Sequence, residues 1–345
     1  MSVQYKFLVL GPMANHNELP GGTTVSFSVF LDKLKKNNID FEVINTNKVN
    51  YKYKGIALIK IYWLFFQKLR KSSHISLHGS DKDYIYLTPV IVFSSKLLGK
   101  TVSLRKFAGS FLDVFENLST PKKLLVKYAL SNSNINFFQT KYLIQYFKQY
   151  NNNTFWFPTV RNRPNIIIDR EKVYQKRFIF LGHIHSEKGI DHILEVSNLL
   201  DDSYNIDLYG PLMEEKYNNI DWERYKNIAY KGSLNPSEVY SVLFKYDVLL
   251  LPTYWKGEGY PGVIAEAFSL GIPVISTKLE GIKEMVDEGS GILIDVKNVE
   301  QLKNAICSFN DKNYKDFSKS ALENFEKFDA EIKIDEIIEQ IKTIL

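Results

Sequence analysis

Two series of short apolar runs, each alternating with helical patterns, confine this chain to an α/β architecture. The first series reads "KFLVLG", "FEVIN", "HISLHG" and "TVSLRKF", separated by "TTVSFSVFLDKLKKN", "IALIKIYWLFFQKLRK" and "DYIYLTPVIVFSSKLLGK". Strand and helix alternating at this spacing build βαβ units, whose parallel sheets are covered on both faces. The pattern restarts at "RFIFLG" and continues through "IDLYG", "NIAYKG", "DVLLLP", "PVIST" and "GILI". A chain of 345 residues also exceeds what one core usually serves. Two Rossmann-like domains in series are therefore expected. The stretch "NNNTFWFPTVRNRPNIIID", with two prolines and an Asn run, reads as the connection. The expected division is an N-terminal domain over 1–160, a linker over 161–175, a C-terminal domain over 176–325 and a closing helix over 326–345 that packs back on the first domain.

The single cysteine, Cys307, excludes an internal disulfide and points to a reducing compartment; its place in "VEQLKNAICSF" reads as a buried structural thiol. No signal peptide is recognisable in "MSVQYKFLVLGPM", and no apolar run is long enough to span a bilayer. The net charge of +5 conceals an asymmetry. Residues 1–165 hold 23 Lys and Arg against 8 Asp and Glu, leaving 21 against 31 in residues 166–345. Such a split suggests that the first half faces an anionic partner: nucleic acid, an anionic membrane surface or a phosphorylated substrate.

Chemistry concentrates in the second half. In "FLGHIHSEKGIDHILEV" a strand ends at Leu181-Gly182, a polar loop follows and a helix opens near Gly189, so loop amides and helix N-terminus form an anion site to which Lys188 adds a full charge. In "DVLLLPTYWKGEGYPGVIAEAFSLG" an apolar strand leads into a Gly-rich turn and a helix that ends at a glycine. Glu258 falls in the turn and Glu266 inside the helix between Ala265 and Ala267, with seven residues between them. An unpaired buried carboxylate costs several kcal/mol, so a partner from outside the chain is expected to satisfy Glu266. Carboxylates accept paired hydrogen bonds from vicinal diols, which suits a sugar at one and a ribose at the other.

These residues resemble the donor-binding signature of retaining family-four glycosyltransferases of the GT-B fold, in which a Glu, seven residues and a second Glu precede a "G-x-P-V-I-x-T" strand. Here that pattern reads Glu258, Glu266 and "GIPVIST", and the following "EGIKEMVDEGSGILID" fits as well. The likeness runs nearly the full length, dense in the second half and loose in the first. It implies two Rossmann-like domains with parallel sheets facing across a cleft, the first binding a glycan or lipid-linked acceptor and the second a nucleotide-sugar donor. It implies no metal and no cofactor beyond that donor. Lys188 and His183 take the place of the family's phosphate loop, where an Arg is usual at the position of His183. Gly21 and Gly22 correspond to the glycine loop that faces the donor phosphates. Glu258 would orient the donor sugar with the turn Gly259, Tyr260, Pro261 and Gly262, Glu266 would hold the ribose, and the base would lie near Ser233 and Leu234. Glu258 and Lys188 are the implied catalytic residues. Many family members also carry a His after the strand that here reads "SLRKFAGSF"; Phe107-Ala108-Gly109 supplies none, which leaves Arg105 and the backbone as substitutes. Cell-surface polysaccharide or glycolipid synthesis in the cytoplasm, peripheral to the membrane, is the implied setting.

Competing readings are weaker. "DKD" at 81–83 mimics an Asp-x-Asp metal motif but precedes a helical pattern as an acidic cap. His16, His74, His78, His185 and His192 show no metal-ligand spacing and read as solvated or core residues. "LGPMANHNELPGG" lacks the glycine spacing of a dinucleotide fingerprint. A sugar-nucleotide epimerase of the same fold and a nonenzymatic nucleotide-binding protein stay open; a nucleic-acid partner is not expected, because the basic half shows no recognisable binding motif. In "KGIALIKIYWLFFQKLRK", Ile56, Ile59, Trp63 and Phe66 share one helical face, with Lys60, Gln67 and Lys71 on another. That pattern suits either an ordinary sheet-covering helix or a basic amphipathic helix lying on an anionic membrane.

Overall fold

The computed structural model describes residues 6–15, 21–51, 53–167, 173–287 and 289–345, and His16 lies outside them. The chain divides into two units, residues 1–162 with 330–345 and residues 163–329. Unit 1 holds the strands β1 (Lys6–Gly11), β2 (Asp40–Asn45), β3 (His74–Gly79), β4 (Thr101–Lys106), β5 (Ile135–Phe138) and β6 (Thr154–Trp156), in the order β2-β1-β3-β4-β5-β6. Unit 2 holds β7 (Arg177–Leu181), β8 (Asn205–Tyr209), β9 (Ile228–Tyr230), β10 (Val248–Leu251), β11 (Val274–Thr277) and β12 (Gly291–Ile294), in the order β12-β11-β10-β7-β8-β9. Neighbouring strands pair parallel throughout. Each unit is a doubly wound Rossmann-like sheet, and unit 2 has the dinucleotide-fold strand order.

The stretch that reads as the connection is partly structured. "TFW", within the expected connection, is the edge strand β6, paired with β5 from Asn136↔Thr154 to Phe138↔Trp156. Arg161 is buried in unit 1, its guanidinium on Ser26 Oγ at 3.1 Å and its carbonyl accepting from Ala330 N at 2.9 Å. At the far end Tyr174 is buried in unit 2, its ring 5.4 Å from that of Tyr314. The expected linker is thus anchored at both ends, because apolar and guanidinium groups among its prolines find core positions. The closing helix, Ala330–Lys342, buries Ile334, Ile337, Ile338 and Ile341 against Phe27, Phe30 and Leu34 of the Gly22–Lys36 helix. Lys33, itself buried, ties the two helices through Glu331 at 2.6 Å and Asp335 at 2.9 Å.

Two local readings change. The pattern "DYIYLTPVIVFSSKLLGK" forms two helices, Asp81–Tyr86 and Thr88–Leu97, because Pro89 opens the second. Asp83 accepts from Ser80 N at 2.9 Å and from Ser80 Oγ at 2.8 Å in a capping box, while Asp81 pairs with Lys106 at 2.8 Å. Cys307 is exposed rather than buried: the Val299–Ser308 helix turns Leu302, Ala305 and Ile306 inward instead.

A polar ladder crosses the unit 1 sheet beneath its aromatic core. His74 joins Thr101 and Ser103 at 2.9 Å each, Ser103 Oγ reaches Ser76 Oγ at 3.0 Å, and Ser76 Oγ meets His78 Nε2 at 3.1 Å. Both imidazoles are fully buried, His78 with its ring centre 4.5 Å from that of Phe30. Burial lowers His74 to about 3, and burial followed by the Arg105 charge and the His74 ring holds His78 well below its ordinary value. An unfolded chain takes up protons below about pH 6.5 that these native imidazoles refuse, so stability is full above that pH and falls as pH drops toward 3. Urea unfolding followed between pH 7 and pH 4 is expected to lose stability at up to ~1.4 kcal/mol per pH unit for each histidine, and His74→Asn to flatten that acid limb.

Candidate functional site

The connection after β7 leads through the Ile190–Ser197 helix to β8, whereas that after β10 leads through the Gly262–Phe268 helix to β11 on the other side. Because β7 and β10 pair directly, with Val248↔Phe178 and Leu249↔Ile179, residues 182–189 and 252–261 leave adjacent strand ends and diverge. This reversal is where open α/β sheets bind ligands. The two loops touch backbone to backbone at Gly189, whose φ of +82° favours glycine and whose added Cβ would fall 2.2 Å from Pro252 O. Tyr254 N donates to Glu187 O at 2.8 Å across the same seam.

That contact brings Lys188 and Glu258 together as an ion pair, Lys188 Nζ on Glu258 Oε2. Both side chains are largely withdrawn from solvent, at 14% and 7% exposure, which strengthens the pairing and deprives each charge of water. Thr253 Oγ1 lies 3.0 Å from the same carboxylate oxygen and accepts from Trp255 N at 3.2 Å, fixing the glutamate's rotamer. The half-exposed Trp255 ring sits beside the ammonium, 4.9 Å from Lys188 Nζ to its centroid. From the β8 side Glu214 anchors the first loop, accepting from Ser186 N at 2.8 Å and from Ser186 Oγ at 2.6 Å, bonds that hold its carboxyl below the usual range.

The other predicted residues fall as follows. His183 is exposed on the first loop, and desolvation, then the Lys188 ammonium, then the His185 ring lower its pKa. Glu266 lies one turn into the Gly262–Phe268 helix, half-buried, whereas Ile264, Ala265, Ala267 and Phe268 pack inward. It has an interaction within the chain, and its partial exposure leaves it less desolvated than the buried carboxylate read from the sequence. Ser233 and Leu234 lie in the loop after β9, at the same carboxyl edge, where Gly210 N donates to Gly232 O at 2.9 Å. Gly259, Tyr260 and Pro261 are buried, and Tyr260 turns its hydroxyl onto Glu284, leaving Gly262 to open the helix.

Gly21 and Gly22 belong to unit 1, exposed at the start of the Gly22–Lys36 helix, where Gly21 O accepts from Thr24 Oγ1 at 2.7 Å. Arg105 also belongs to unit 1, but inside it: 1% exposed, with its guanidinium 3.3 Å from the Phe157 ring centroid and donating to Pro158 O at 2.9 Å. The guanidinium is thus enclosed within unit 1 between the Phe157 ring and the Pro158 carbonyl. Among the described residues no cluster of three or more His, Cys, Asp or Glu could hold a metal ion.

Residues 163–324, nearly all of unit 2, match the family described as glycosyl transferases group 1. The chain carries a group 1 glycosyl transferase domain. An uncharacterized glycosyltransferase of Methanocaldococcus jannaschii is 22% identical over 99% of this chain and 85% of its own length. A UDP-Gal:alpha-D-GlcNAc-diphosphoundecaprenol alpha-1,3-galactosyltransferase of Escherichia coli is 30% identical over 39% of this chain and 36% of that protein. For most of the curated relatives the match takes in between 35% and 41% of the relative's length. Among solved structures, the Anabaena protein HepE in complex with UDP superposes with a TM-score of 0.73 at 14% identity, covering 98% of this chain and 100% of that one. This likeness establishes a shared fold.

Three contributors to the transferase domain escaped the sequence reading. Thr253 and Trp255 flank the Gly-rich turn, and a hydroxyl two residues past an apolar strand was the signal for the first. Glu214 had none, since only the β7–β8 pairing brings it to Ser186. The Gly189 seam is the feature on which the arrangement hangs. Gly189→Ala is expected to push the loops of the transferase domain apart and lower its stability by about 2–4 kcal/mol. Urea unfolding checks this; an unchanged midpoint would show that the seam does not constrain the loops.

Proposed function

We propose that the protein transfers a sugar from a nucleotide-diphosphate sugar to a glycan or lipid-linked acceptor, with retention at the anomeric carbon and without a metal. The observation that carries this reading is the Lys188–Glu258 pair at the sheet's reversal, backed by a helix N-terminus. As the glycosidic bond loosens, charge builds on the leaving diphosphate, and a cation plus oriented amides placed beforehand stabilise it. Lys188 and the start of the Ile190–Ser197 helix supply these groups. The acceptor hydroxyl attacks from the face the diphosphate leaves and passes its proton to a departing phosphate oxygen. Glu258, held by Thr253, orients the donor sugar with the Gly259–Gly262 turn; Glu266 takes the ribose hydroxyls, and the base lies along Ser233 and Leu234. UDP in HepE and UDP-Gal in the name of the E. coli relative make UDP-sugars the first donors to screen. The same relative's diphosphoundecaprenol acceptor, together with relatives named for teichuronic and colanic acid biosynthesis, supports a place in cell-surface polysaccharide synthesis.

Nucleotide release from donor sugars, with NMR assignment of the product anomer, tests the reaction; an inverted product would overturn retention. Lys188→Ala is expected to lower transfer by at least ~100-fold, whereas His183→Arg preserves or raises it. Glu266→Gln should weaken nucleotide binding about tenfold or more with the fold intact, and Glu258→Gln should mainly lower turnover. Near-normal rates in Lys188→Ala would place the diphosphate clamp elsewhere.

A further inference from the structure

A buried lysine of unit 1 has no part in the chemistry described above. Lys106 ends β4 and is fully buried, its ammonium beside the rings of Phe111 and Tyr84, 5.0 Å and 6.0 Å from their centroids. Its polar contacts are the Phe107 carbonyl and Asp81 Oδ1, the latter at 2.8 Å. Desolvation offsets most of what such a pair gains, so stability is a poor reason for it. Its effect is to fix Asp81. Oδ1 is buried against the ammonium while the side chain as a whole is 32% exposed, so the open part of the carboxylate lies on the Oδ2 side. The place is a ligand-binding edge. β1 and β3 pair directly, and their crossovers take opposite faces: the Gly22–Lys36 helix packs with Phe7 and Val9, the Thr88–Leu97 helix with Leu8 and Leu10. Open α/β sheets bind ligands at the carboxyl ends of two such strands, and Asp81 stands two residues past the end of β3. The next loop is strained. Phe107 N donates to Gly79 O at 3.1 Å, joining the loop after β4 to that after β3. Ala108 then takes φ +71°, a left-handed conformation that a residue with a Cβ adopts under constraint, and the buried Gln139 supplies it by accepting from Ala108 N at 2.9 Å. Strain of this kind collects at functional sites.

We propose that the carboxyl edge of β3 and β4 is a sugar site, in which Asp81 receives hydrogen bonds from hydroxyl groups of the acceptor substrate. A carboxylate takes paired, charge-assisted hydrogen bonds from adjacent hydroxyls. Lys106 selects the class of ligand. Its ammonium offsets the Asp81 charge at 2.8 Å, so the pair draws a metal ion or an amine far less than a lone carboxylate would, and a neutral polyhydroxy ligand suits it. The neighbouring Asp83 is turned away into its capping box with Ser80 and adds no second open carboxylate. Held by a buried partner, the Oδ2 side is oriented before the ligand arrives, which keeps the ordering cost of binding low. The proposal rests on the transfer reading for the identity of the ligand, but sugar binding at this edge is measurable without turnover.

Saturation-transfer NMR of the full chain with the methyl glycosides of glucose, galactose and N-acetylglucosamine reads the site directly. At least one glycoside is expected to bind, and its affinity to fall at least ~10-fold in Asp81→Asn. That change leaves Lys106 buried without its counter-charge, which destabilises the unit on its own account. Asp81→Asn/Lys106→Met removes both charges and is expected to show the same loss of glycoside binding with an unchanged urea midpoint and unchanged UDP affinity. A merely structural pair would leave glycoside binding intact in the folded double variant, and that result overturns the proposal. So does failure of all three glycosides to bind the unaltered chain. Glycoside binding that the double substitution abolishes, in a chain that releases nucleotide from no donor sugar, would keep the site and remove the transfer reading.

Discussion

The direct pairing of β7 with β10 is the constraint from which the candidate site follows. A parallel sheet puts every strand's carboxyl end on one edge, and two adjacent strands whose crossovers run to opposite sides leave their loops with no helix between them. The backbones then close to contact, as the approach of Gly189 to Pro252 O shows. A second close approach repeats the logic one strand over, where a Cβ on Gly210, at φ +142°, would fall 1.8 Å from Gly182 O. The loop bearing Lys188 is therefore clasped from both sides, which positions a charged side chain on a rigid frame without an apolar core of its own.

That frame gives the Lys188–Glu258 pair its meaning. Desolvation offsets most of what a largely buried ion pair gains from attraction, so such a pair is a weak source of stability. The domain has other means to hold these loops, including the Glu214 bonds to Ser186 and the Tyr254 amide bond to Glu187 O. Two opposite charges kept at the sheet's carboxyl edge, where open α/β sheets bind ligands, suit a role toward a ligand better than one in stability. On the proposed reading the donor's diphosphate and sugar hydroxyls engage the two partners separately.

Much of the fold was legible because continuous apolar runs and helical spacing are local properties: the runs "KFLVLG" and "DVLLLP" contain strands β1 and β10. The glutamate spacing and the Lys188 loop were legible for the same reason, lying within short stretches. What escaped depends on distant partners. "TFW" reads as linker until β5 offers it an edge, and Glu214 is an ordinary surface acid until the β7–β8 pairing brings it to Ser186. The enclosure of Arg105 by Phe107 and Phe157 was not legible either, because a basic residue at a strand's carboxyl end has the same local pattern whether it is buried or open. Nor was the partial exposure of Glu266, since a helix with alanines on either side of a glutamate still turns that position outward.

The Ala57–Leu69 helix shows where periodicity stops being sufficient. One apolar stripe with a basic opposite face fits either a core helix or a membrane-surface helix, because the pattern records which residues share a face and not what that face meets. In this helix Ile61, Phe65 and Leu69 already satisfy the sheet, so the stripe through Ile59, Trp63 and Phe66 is surplus to folding. A surplus stripe on one helix is unremarkable, as single exposed apolar residues are normal. The same surplus recurs at Phe93 and Leu97 of the Thr88–Leu97 helix and at Leu124 and Leu125 of the Thr120–Asn132 helix. Which residues share a face is written in one helix's spacing, whereas whether that face stays exposed is decided by the neighbours the fold gives it.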